Sequence, residues 1–429
     1  MQKQKITILT GAGLTVTSDF AGVSTWSLTN KIRSLKIPEL DIAGMRPGEY
    51  FYRKLCLHYT GKRKNDCDLA TVNFETIIHL LEEMYAYLSS YIKGDKEVRA
   101  KYKGVKPSFL RLQETISKDL YKVKFEAKKV GLYQLIKTYH NYFINAIIQE
   151  LKEFNRDASN NGMNSFKKDF IQKYFPEKEW IKRIYTLNYD TWMNSYMGYY
   201  DGFDNKGIFE SEKVMQKDGF NCHYNLHGCI QWRNSLGANK MEKQQRIVNV
   251  LNYSKASDFG INREPLLATP IITGYHKLER MKYTPYLQFF YSMQKDILSS
   301  DTLLIIGYSF TDTHINNLLS LYKGKTVIVD FISAWNTAEI KMQELINNPA
   351  KLERLEKKYG TIDTTDVQYD RFDDAVVEKL QNFEPFDEGF DPTEKQIAKG
   401  WINSKNKKTR VWWKGVGEEF YNNWENLIA

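Results

Sequence analysis

The sequence has 429 residues, which at roughly 150 residues per domain suggests two or three domains. With 42% apolar, 26% charged and 14% aromatic residues, its composition excludes collagen-like, disulfide-scaffold and intrinsically disordered chains. The net charge is +9, and no apolar stretch is long enough to span a membrane, so we expect a globular protein without membrane association.

The first element is a short apolar run at residues 6–10 that ends in Gly11-Ala12-Gly13. A strand, a glycine turn and a helix in this order are typical of a nucleotide site, in which backbone N–H groups of residues 11–14 face a pyrophosphate. Thr15 or Ser18 would add a hydroxyl. Many glycine turns serve only to let the chain reverse, so this turn alone is weak support for a nucleotide site.

A helical block is predicted from about residue 40 to 178. Apolar side chains recur at three- and four-residue steps through 74–92 and 132–151, and Asn73 is suited to cap the first of these helices. Between them, residues 93–129 contain 12 basic and 5 acidic side chains. We expect this basic block to form a solvated face or to mediate assembly or docking to a charged partner. No nucleic-acid motif accompanies it, which argues against direct binding to nucleic acid.

Short strands alternate with helices after the helical block. Apolar segments at 181–187, 270–273, 302–306 and 326–331 are predicted strands, and 286–298 and 312–322 are predicted helices. The alternation predicts an α/β fold: a Rossmann-like parallel sheet covered by helices, with the helical block as a large insertion or stacked subdomain. We assign one domain to 1–335 and a small C-terminal accessory module to 336–429, where an acidic run precedes a basic one.

Polar residues occur where strands are predicted to end. Asn188 and Asp190 follow one strand, Gly307 and Ser309 follow another, and His227 precedes a glycine. Ligands bind at the carboxyl ends of the strands in an open parallel sheet, so these groups could converge. Each also has an ordinary interpretation, as a turn former or as a structural histidine.

Taken in order, these segments resemble the sirtuin family. The resemblance is carried by Gly11-Ala12-Gly13-Leu14-Thr15, Thr186-x-Asn188-x-Asp190, His227-Gly228 and Gly307-x-Ser309. It is strongest to the bacterial sirtuin-like NAD hydrolases of anti-phage defence, in which Asn-Tyr-Asp, His-Gly followed by Trp, and Gly-Tyr-Ser-Phe-x-Asp-x-His-Ile-Asn are usual. It covers residues 1 to about 335, and Asn73-Phe74-Glu75 also resembles that branch.

The resemblance implies that NAD is a substrate, cleaved to nicotinamide and ADP-ribose. It assigns His227 as general base, Asn188 to orient ribose and water, and Asp190 to bind the carboxamide. Phe20 or Trp26 would cover the nicotinamide. The other residues expected to bind NAD are Gly11, Ala12, Gly13, Thr15, Ser18, Gly307, Ser309 and Asp330.

Asp330 ends the predicted strand at 326–331. A carboxylate there could accept hydrogen bonds from the adenosine ribose and would repel a 2′-phosphate, which favours NAD over NADP. The alternative is a polar residue that merely ends a strand.

The sequence also departs from one branch of the family. Deacylating sirtuins carry paired C-x-x-C zinc motifs after the catalytic histidine, whereas only Cys229 follows His227 here. We therefore expect no zinc or other metal, and an acyl-lysine substrate is disfavoured. Four cysteines without metal or redox spacing also favour the reducing cytoplasm. Two alternatives stay open: an NAD-dependent protein deacylase, and a non-catalytic module that binds NAD or ADP-ribose or scaffolds a partner.

The same resemblance suggests how such a protein would act. We expect a homo-oligomeric defence effector that depletes NAD and is silent until triggered. A separate regulatory protein, such as a HerA-type hexameric ATPase or another phage sensor, is the expected partner.

Overall fold

The computed structural model describes residues 3–15, 23–37, 40–60, 72–92, 110–120, 123, 132–160, 170–216, 218–235, 240–243, 271–273, 281–330 and 400–428. The chain divides into two compact units. The first comprises Met1–Gly22, Phe170–Tyr185 and Met293–Ala429, and the second comprises Val23–Asp169 and Thr186–Ser292.

Short strands and helices make up both units. The strands are β1 (Gln4–Thr10), β2 (Trp180–Thr186), β3 (Cys222–Asn225), β4 (Trp232–Ser235), β5 (Lys240–Lys243), β6 (Thr302–Ile306), β7 (Lys325–Val329), β8 (Trp401–Asn403) and β9 (Thr409–Trp412). The helices are α1 (Thr25–Ser34), α2 (Pro47–Thr60), α3 (Phe74–Ile92), α4 (Leu110–Leu120), α5 (Leu132–Asn160), α6 (Trp192–Met197), α7 (Ser211–Gln216), α8 (Tyr286–Leu298), α9 (Thr313–Leu319) and α10 (Glu418–Ile428). Across the described residues, no helix combines the length and apolar character needed to cross a membrane.

The first unit is built on a mostly parallel sheet. Its described strands lie in the order β2-β1-β6-β7-β9-β8. The pairs β1 with β6, β6 with β7 and β7 with β9 are parallel, whereas β8 and β9 are antiparallel. Thr10 lies opposite Ile306, and Ile306 lies opposite Val329, so three strands end together at one carboxyl edge. The predicted Rossmann-like α/β fold, a sheet flanked by helices, is confirmed.

The C-terminal end of the chain contributes to this sheet. The sequence analysis assigned 336–429 to an accessory module, but its described part, 400–428, adds β8, β9 and α10 to the first unit. Phe420 and Trp424 of α10 pack against Phe170, with ring centroids 5.1 and 5.0 Å apart. Both strands have only three or four residues, which is too short for a recognisable period, and β9 pairs with the distant β7, so they escaped prediction. Residues 331–399, including the predicted domain boundary, lie outside the described residues.

The other predicted elements have mixed outcomes. The strands at 181–187, 302–306 and 326–331 correspond to β2, β6 and β7, and the helices at 286–298 and 312–322 to α8 and α9. In the segment 270–273, the structure describes 271–273, where Ile271 forms an isolated antiparallel bridge with Gly228 rather than a strand of the parallel sheet. Most of the basic block 93–129 lies outside the described residues.

The second unit contains the helices α1 to α5. α3 packs against α5, and α1 packs against α2. Phe51 of α2 contacts Tyr139 and Phe143 of α5 edge to face, with ring centroids 5.6 and 6.2 Å apart. Asn73 caps α3 as predicted, because its Oδ1 accepts the Glu75 N–H at 2.9 Å.

A buried carboxylate connects three elements of the first unit. Asp296 of α8 is fully buried, and its Oδ2 lies 2.5 Å from Arg183 Nε and 2.5 Å from the Tyr185 hydroxyl, both on β2. Its Oδ1 lies 3.3 Å from Lys5 Nζ on β1. Buried charges are tolerated only when they are paired and hydrogen-bonded, so this network restricts how α8 can lie on the two strands.

Replacing Asp296 by Ala is expected to lower the free energy of unfolding by about 3–5 kcal/mol, because the Arg183 guanidinium would stay buried without its counterion. The matched control is Asp157→Ala, which breaks an exposed ion pair with Arg156 and should cost less than about 1 kcal/mol. Urea unfolding followed by circular dichroism measures both. Equal losses in the two variants would contradict the structural role of Asp296.

Candidate functional site

Two glycine turns meet at the carboxyl edge of the sheet in the first unit. The Gly13 N–H donates to Gly307 O at 3.0 Å, and the Gly307 N–H donates to Val329 O at 2.8 Å. A Cβ on Gly13 would lie 2.7 Å from Gly307 Cα, and a Cβ on Gly307 would lie 2.3 Å from Leu14 N. Gly307 also has a φ of +60°, which disfavours other residues. Backbone packing therefore accounts for the glycines of both motifs.

Four backbone N–H groups of the first turn are bonded within the chain. They donate to carbonyl oxygens at 2.9–3.1 Å: Gly11 to Ile306, Gly13 to Gly307, Leu14 to Gly11 and Thr15 to Ala12. The buried Thr15 hydroxyl also donates to Ala12 O, at 2.8 Å. For Gly11, Gly13 and Leu14, this arrangement differs from the expectation that their N–H groups face a pyrophosphate. In the conformation described, this turn packs against the turn at Gly307.

The loop after β6 presents hydroxyls on a braced backbone. Ser309 is exposed, and its Oγ lies 2.9 Å from Thr311 Oγ1. The Tyr308 hydroxyl donates to Asn316 Oδ1 at 2.9 Å, and Asn316 Nδ2 donates to Phe310 O at 2.7 Å. Tyr308 and Asn316 thus explain part of the Gly-Tyr-Ser-Phe…Asn pattern, and they leave Ser309 accessible to a phosphate or a ribose.

Asp330 follows β7 at the same edge. Its N–H donates to Trp412 O at 2.9 Å, and its carbonyl accepts the Gly415 N–H at 2.8 Å. In the first unit, neighbouring strands thus bring together several residues predicted to bind NAD, as expected for the carboxyl ends of parallel strands. These residues are Gly11, Ala12, Gly13, Gly307, Ser309 and Asp330.

A buried amide holds the turn after β2 in the second unit. Asn188 is half-buried and Asp190 is buried, and the Asn188 N–H donates to Thr186 Oγ1 at 3.1 Å. Asn225 Nδ2 lies 3.2 Å from Asn188 O and 3.5 Å from Asp190 O. Asn225, which ends β3, is 1% exposed, so its amide joins β3 to the backbone of both residues.

His227 lies two residues beyond that amide. It is buried, and its carbonyl accepts the Ile272 N–H at 2.7 Å. Its imidazole centroid lies 6.5 Å from the ring centroid of Tyr189, the residue between Asn188 and Asp190. The second unit therefore brings the three predicted catalytic residues onto two turns that are joined by hydrogen bonds.

Burial shapes the electrostatics around these turns. It raises the pKa of the Cys229 thiol to about 12, and the Asp190 carboxylate contributes in the same direction. Burial also lowers the pKa of His223 to about 3, and the Lys243 ammonium adds to this effect. Cys229 thus stays a thiol and His223 stays neutral near pH 7, so neither is suited to proton transfer.

The remaining predicted residues have different surroundings. Trp26 lies in the first turn of α1 and is 61% exposed. Ser18 and Phe20 lie outside the described residues. Trp232, the tryptophan after His-Gly, is a core residue, with ring centroids 5.5 Å from Phe203 and 5.7 Å from Phe289.

The sequence analysis missed Asn225. An asparagine beside a turn usually signals local turn chemistry, and its partners at Asn188 and Asp190 are more than thirty residues away. Its position two residues before His227 was the only available signal.

Replacing Gly307 by Ala is expected to lower the free energy of unfolding by roughly 3 kcal/mol, because the new Cβ would overlap backbone atoms of the first turn at a positive φ. Gly417→Ala is the matched control, since a Cβ there has no heavy atom within 4 Å, and its effect should stay below about 0.5 kcal/mol. Urea unfolding compares the two variants. A Gly307→Ala protein as stable as the control would exclude the close approach of the turns.

The pKa of His223 leads to a pH prediction. Below pH 6.5 the unfolded chain binds a proton that the folded chain does not, so stability falls as the pH is lowered toward the folded pKa. Between pH 7 and pH 5 this group should cost about 2 kcal/mol. His223→Leu should remove that part of the pH dependence in urea unfolding, whereas replacing the exposed His58 by Leu should not. Identical pH slopes for wild type and His223→Leu would contradict the lowered pKa.

A comparison with protein families finds a match for part of the chain. Residues 182–326 match the family described as SIR2-like domain, which covers about a third of the chain. The matched segment includes Asn188, Asp190, His227, Gly307 and Ser309. No curated protein matches the chain. SIR2-like domains are NAD-dependent enzymes, so the match indicates NAD-related activity. The chain therefore contains a segment similar to SIR2-like domains, which supports the predicted resemblance to sirtuins.

Proposed function

We propose that this protein hydrolyses NAD⁺ at the bond between nicotinamide and ribose, releasing nicotinamide and ADP-ribose. The observation that supports this most directly lies inside the segment that matches the SIR2-like domain family. There the Asn225 amide bonds to the backbone carbonyls of Asn188 and Asp190, and the ring of Tyr189, between them, lies 6.5 Å from the His227 imidazole. An amide, a carboxylate and an imidazole held on adjoining turns provide the groups that the reaction needs.

The chemistry of the leaving group sets the task for these residues. Nicotinamide departs as a neutral molecule from a cationic pyridinium, so no general acid has to protonate it, in contrast to ordinary glycosides. Asn188 orients the ribose and the attacking water, and Asp190 binds the carboxamide. His227 accepts the proton of the water as its oxygen bonds to the anomeric carbon. The products are nicotinamide, ADP-ribose and one proton.

The ADP-ribose part of NAD requires polar groups of its own. The exposed Ser309 hydroxyl suits a phosphate or ribose oxygen. Asp330 suits the adenosine ribose hydroxyls, and its carboxylate would repel the 2′-phosphate of NADP. Phe20 or Trp26 would cover the nicotinamide ring and exclude bulk water.

The proposed biological role is that of an anti-phage effector that depletes NAD in an infected cell. A homo-oligomer and a separate triggering protein, such as a HerA-type ATPase, complete this proposal. Both follow from the resemblance to defence-associated sirtuin-like proteins.

His227→Ala is expected to lower the rate of NAD turnover by a factor of about 10²–10⁴, which is the usual contribution of a general base. The reason is that no other group would accept the proton of the attacking water. Nicotinamide and ADP-ribose are followed by mass spectrometry, and circular dichroism verifies that the variant is folded. His58→Ala, which replaces an exposed histidine of α2, is the matched control and should keep the wild-type rate.

The same assay separates the alternatives. Equal rates for wild type and His227→Ala would exclude His227 as the general base. Turnover that requires an acyl-lysine peptide would indicate a deacylase. Binding of NAD without turnover by either protein would favour the non-catalytic module.

A further inference from the structure

Tyr189 makes contacts that the proposed mechanism does not use. It is 7% exposed, and its hydroxyl lies 3.0 Å from Glu75 Oε1 and 3.0 Å from Ile272 O. The hydroxyl carries one proton, which it can donate to either acceptor or share between them. A buried tyrosine between Asn188 and Asp190 is thus bonded to the first turn of α3.

The Ile272 contact extends this connection to His227. The Ile272 N–H donates to His227 O at 2.7 Å, while the Ile272 carbonyl accepts from Tyr189. Gly228 forms a bridge with Ile271 and has a φ of +86°. The backbone of Ile272 therefore contacts both residues: its carbonyl faces the Tyr189 hydroxyl, and its N–H faces the His227 carbonyl.

Glu75 is itself firmly anchored. Asn73 caps the helix on which Glu75 lies, and the Phe74 N–H donates to Thr29 Oγ1 at 3.0 Å. Thr29 is fully buried on α1, and its hydroxyl donates to Thr25 O at 2.6 Å. The amino end of α3 is thus tied to α1, which gives Glu75 a rigid base.

From these contacts we infer that Glu75 is a positioning residue that acts through Tyr189. It holds the two neighbours of Tyr189, Asn188 and Asp190, in position relative to His227. Asn188 and Asp190 directly flank Tyr189, so a displacement of Tyr189 moves both. Small displacements of reacting groups reduce rates strongly, which makes such an anchor valuable. The inference rests on the proposed hydrolase function and identifies what maintains its geometry.

The test removes the hydrogen bond from either end. Tyr189→Phe and Glu75→Leu should each lower kcat for NAD about tenfold, with KM changed less than about twofold, because they disturb the reacting geometry and leave the binding groups intact. Glu75→Gln retains an acceptor oxygen and should keep at least about half of the wild-type kcat. The double variant Tyr189→Phe/Glu75→Leu should be no slower than Tyr189→Phe alone, because removing the hydroxyl already removes its bond to Glu75.

Tyr139→Phe is the matched control for lost stability. It deletes another buried tyrosine hydroxyl of the second unit, one that donates to Leu40 O at 2.9 Å, and it should leave kcat unchanged. The inference is overturned if Tyr189→Phe retains the wild-type kcat, if Glu75→Gln is as slow as Glu75→Leu, or if the two single effects multiply in the double variant.

A second measurement does not depend on turnover. In protein labelled with ¹³C-histidine, the His227 resonance is assigned from its loss in His227→Ala. That resonance should shift in Glu75→Leu and stay in place in Tyr139→Phe. If the wild type hydrolyses no NAD, the proposed function fails, and this shift alone decides the inference. An unshifted resonance in Glu75→Leu would then overturn it.

Discussion

The carboxyl edge of the sheet in the first unit depends on the contact between two backbone turns. β1 and β6 are neighbours in register, so the turns that follow them leave the sheet side by side. Gly13 and Gly307 approach so closely that a Cβ on either would overlap backbone atoms of the other turn. Because Gly307 also bonds to Val329 O, the position of Asp330 follows from the same contact. The shape of this edge therefore requires glycine at both positions, because any side chain there would overlap the backbone of the other turn.

In the second unit, hydrogen bonds from polar side chains hold the turns in position. The Asn225 amide bonds to the backbone of Asn188 and Asp190, and Tyr189 bonds to Glu75 and Ile272. Buried polar groups of this kind must find partners, which makes their geometry specific. The groups proposed to perform chemistry are thus held by neighbours with no proposed role in the reaction.

Local patterns were sufficient for much of the fold. β6 and β7 were predictable because strands buried on both faces are continuous apolar runs. α3 was predictable because its apolar period and its cap at Asn73 are both local features of the sequence. β3 escaped prediction because its sequence, Cys-His-Tyr-Asn, has no apolar run, although all four residues are buried. β9 escaped because it is stabilised by pairing with β7, about eighty residues earlier in the chain.

The sequence by itself determined which residue types stand at the ends of strands, and hence the resemblance to sirtuins that the family match at 182–326 confirms. Only the tertiary structure decided what those residues contact. It pairs the N–H groups of Gly11 and Gly13 with carbonyl oxygens of the neighbouring strand and turn. It also joins Asn188 to Asn225 and Tyr189 to Glu75. The physical reason is that hydrogen bonds between residues far apart in the chain leave no periodic signal in its sequence. They exist only once packing has brought donor and acceptor together.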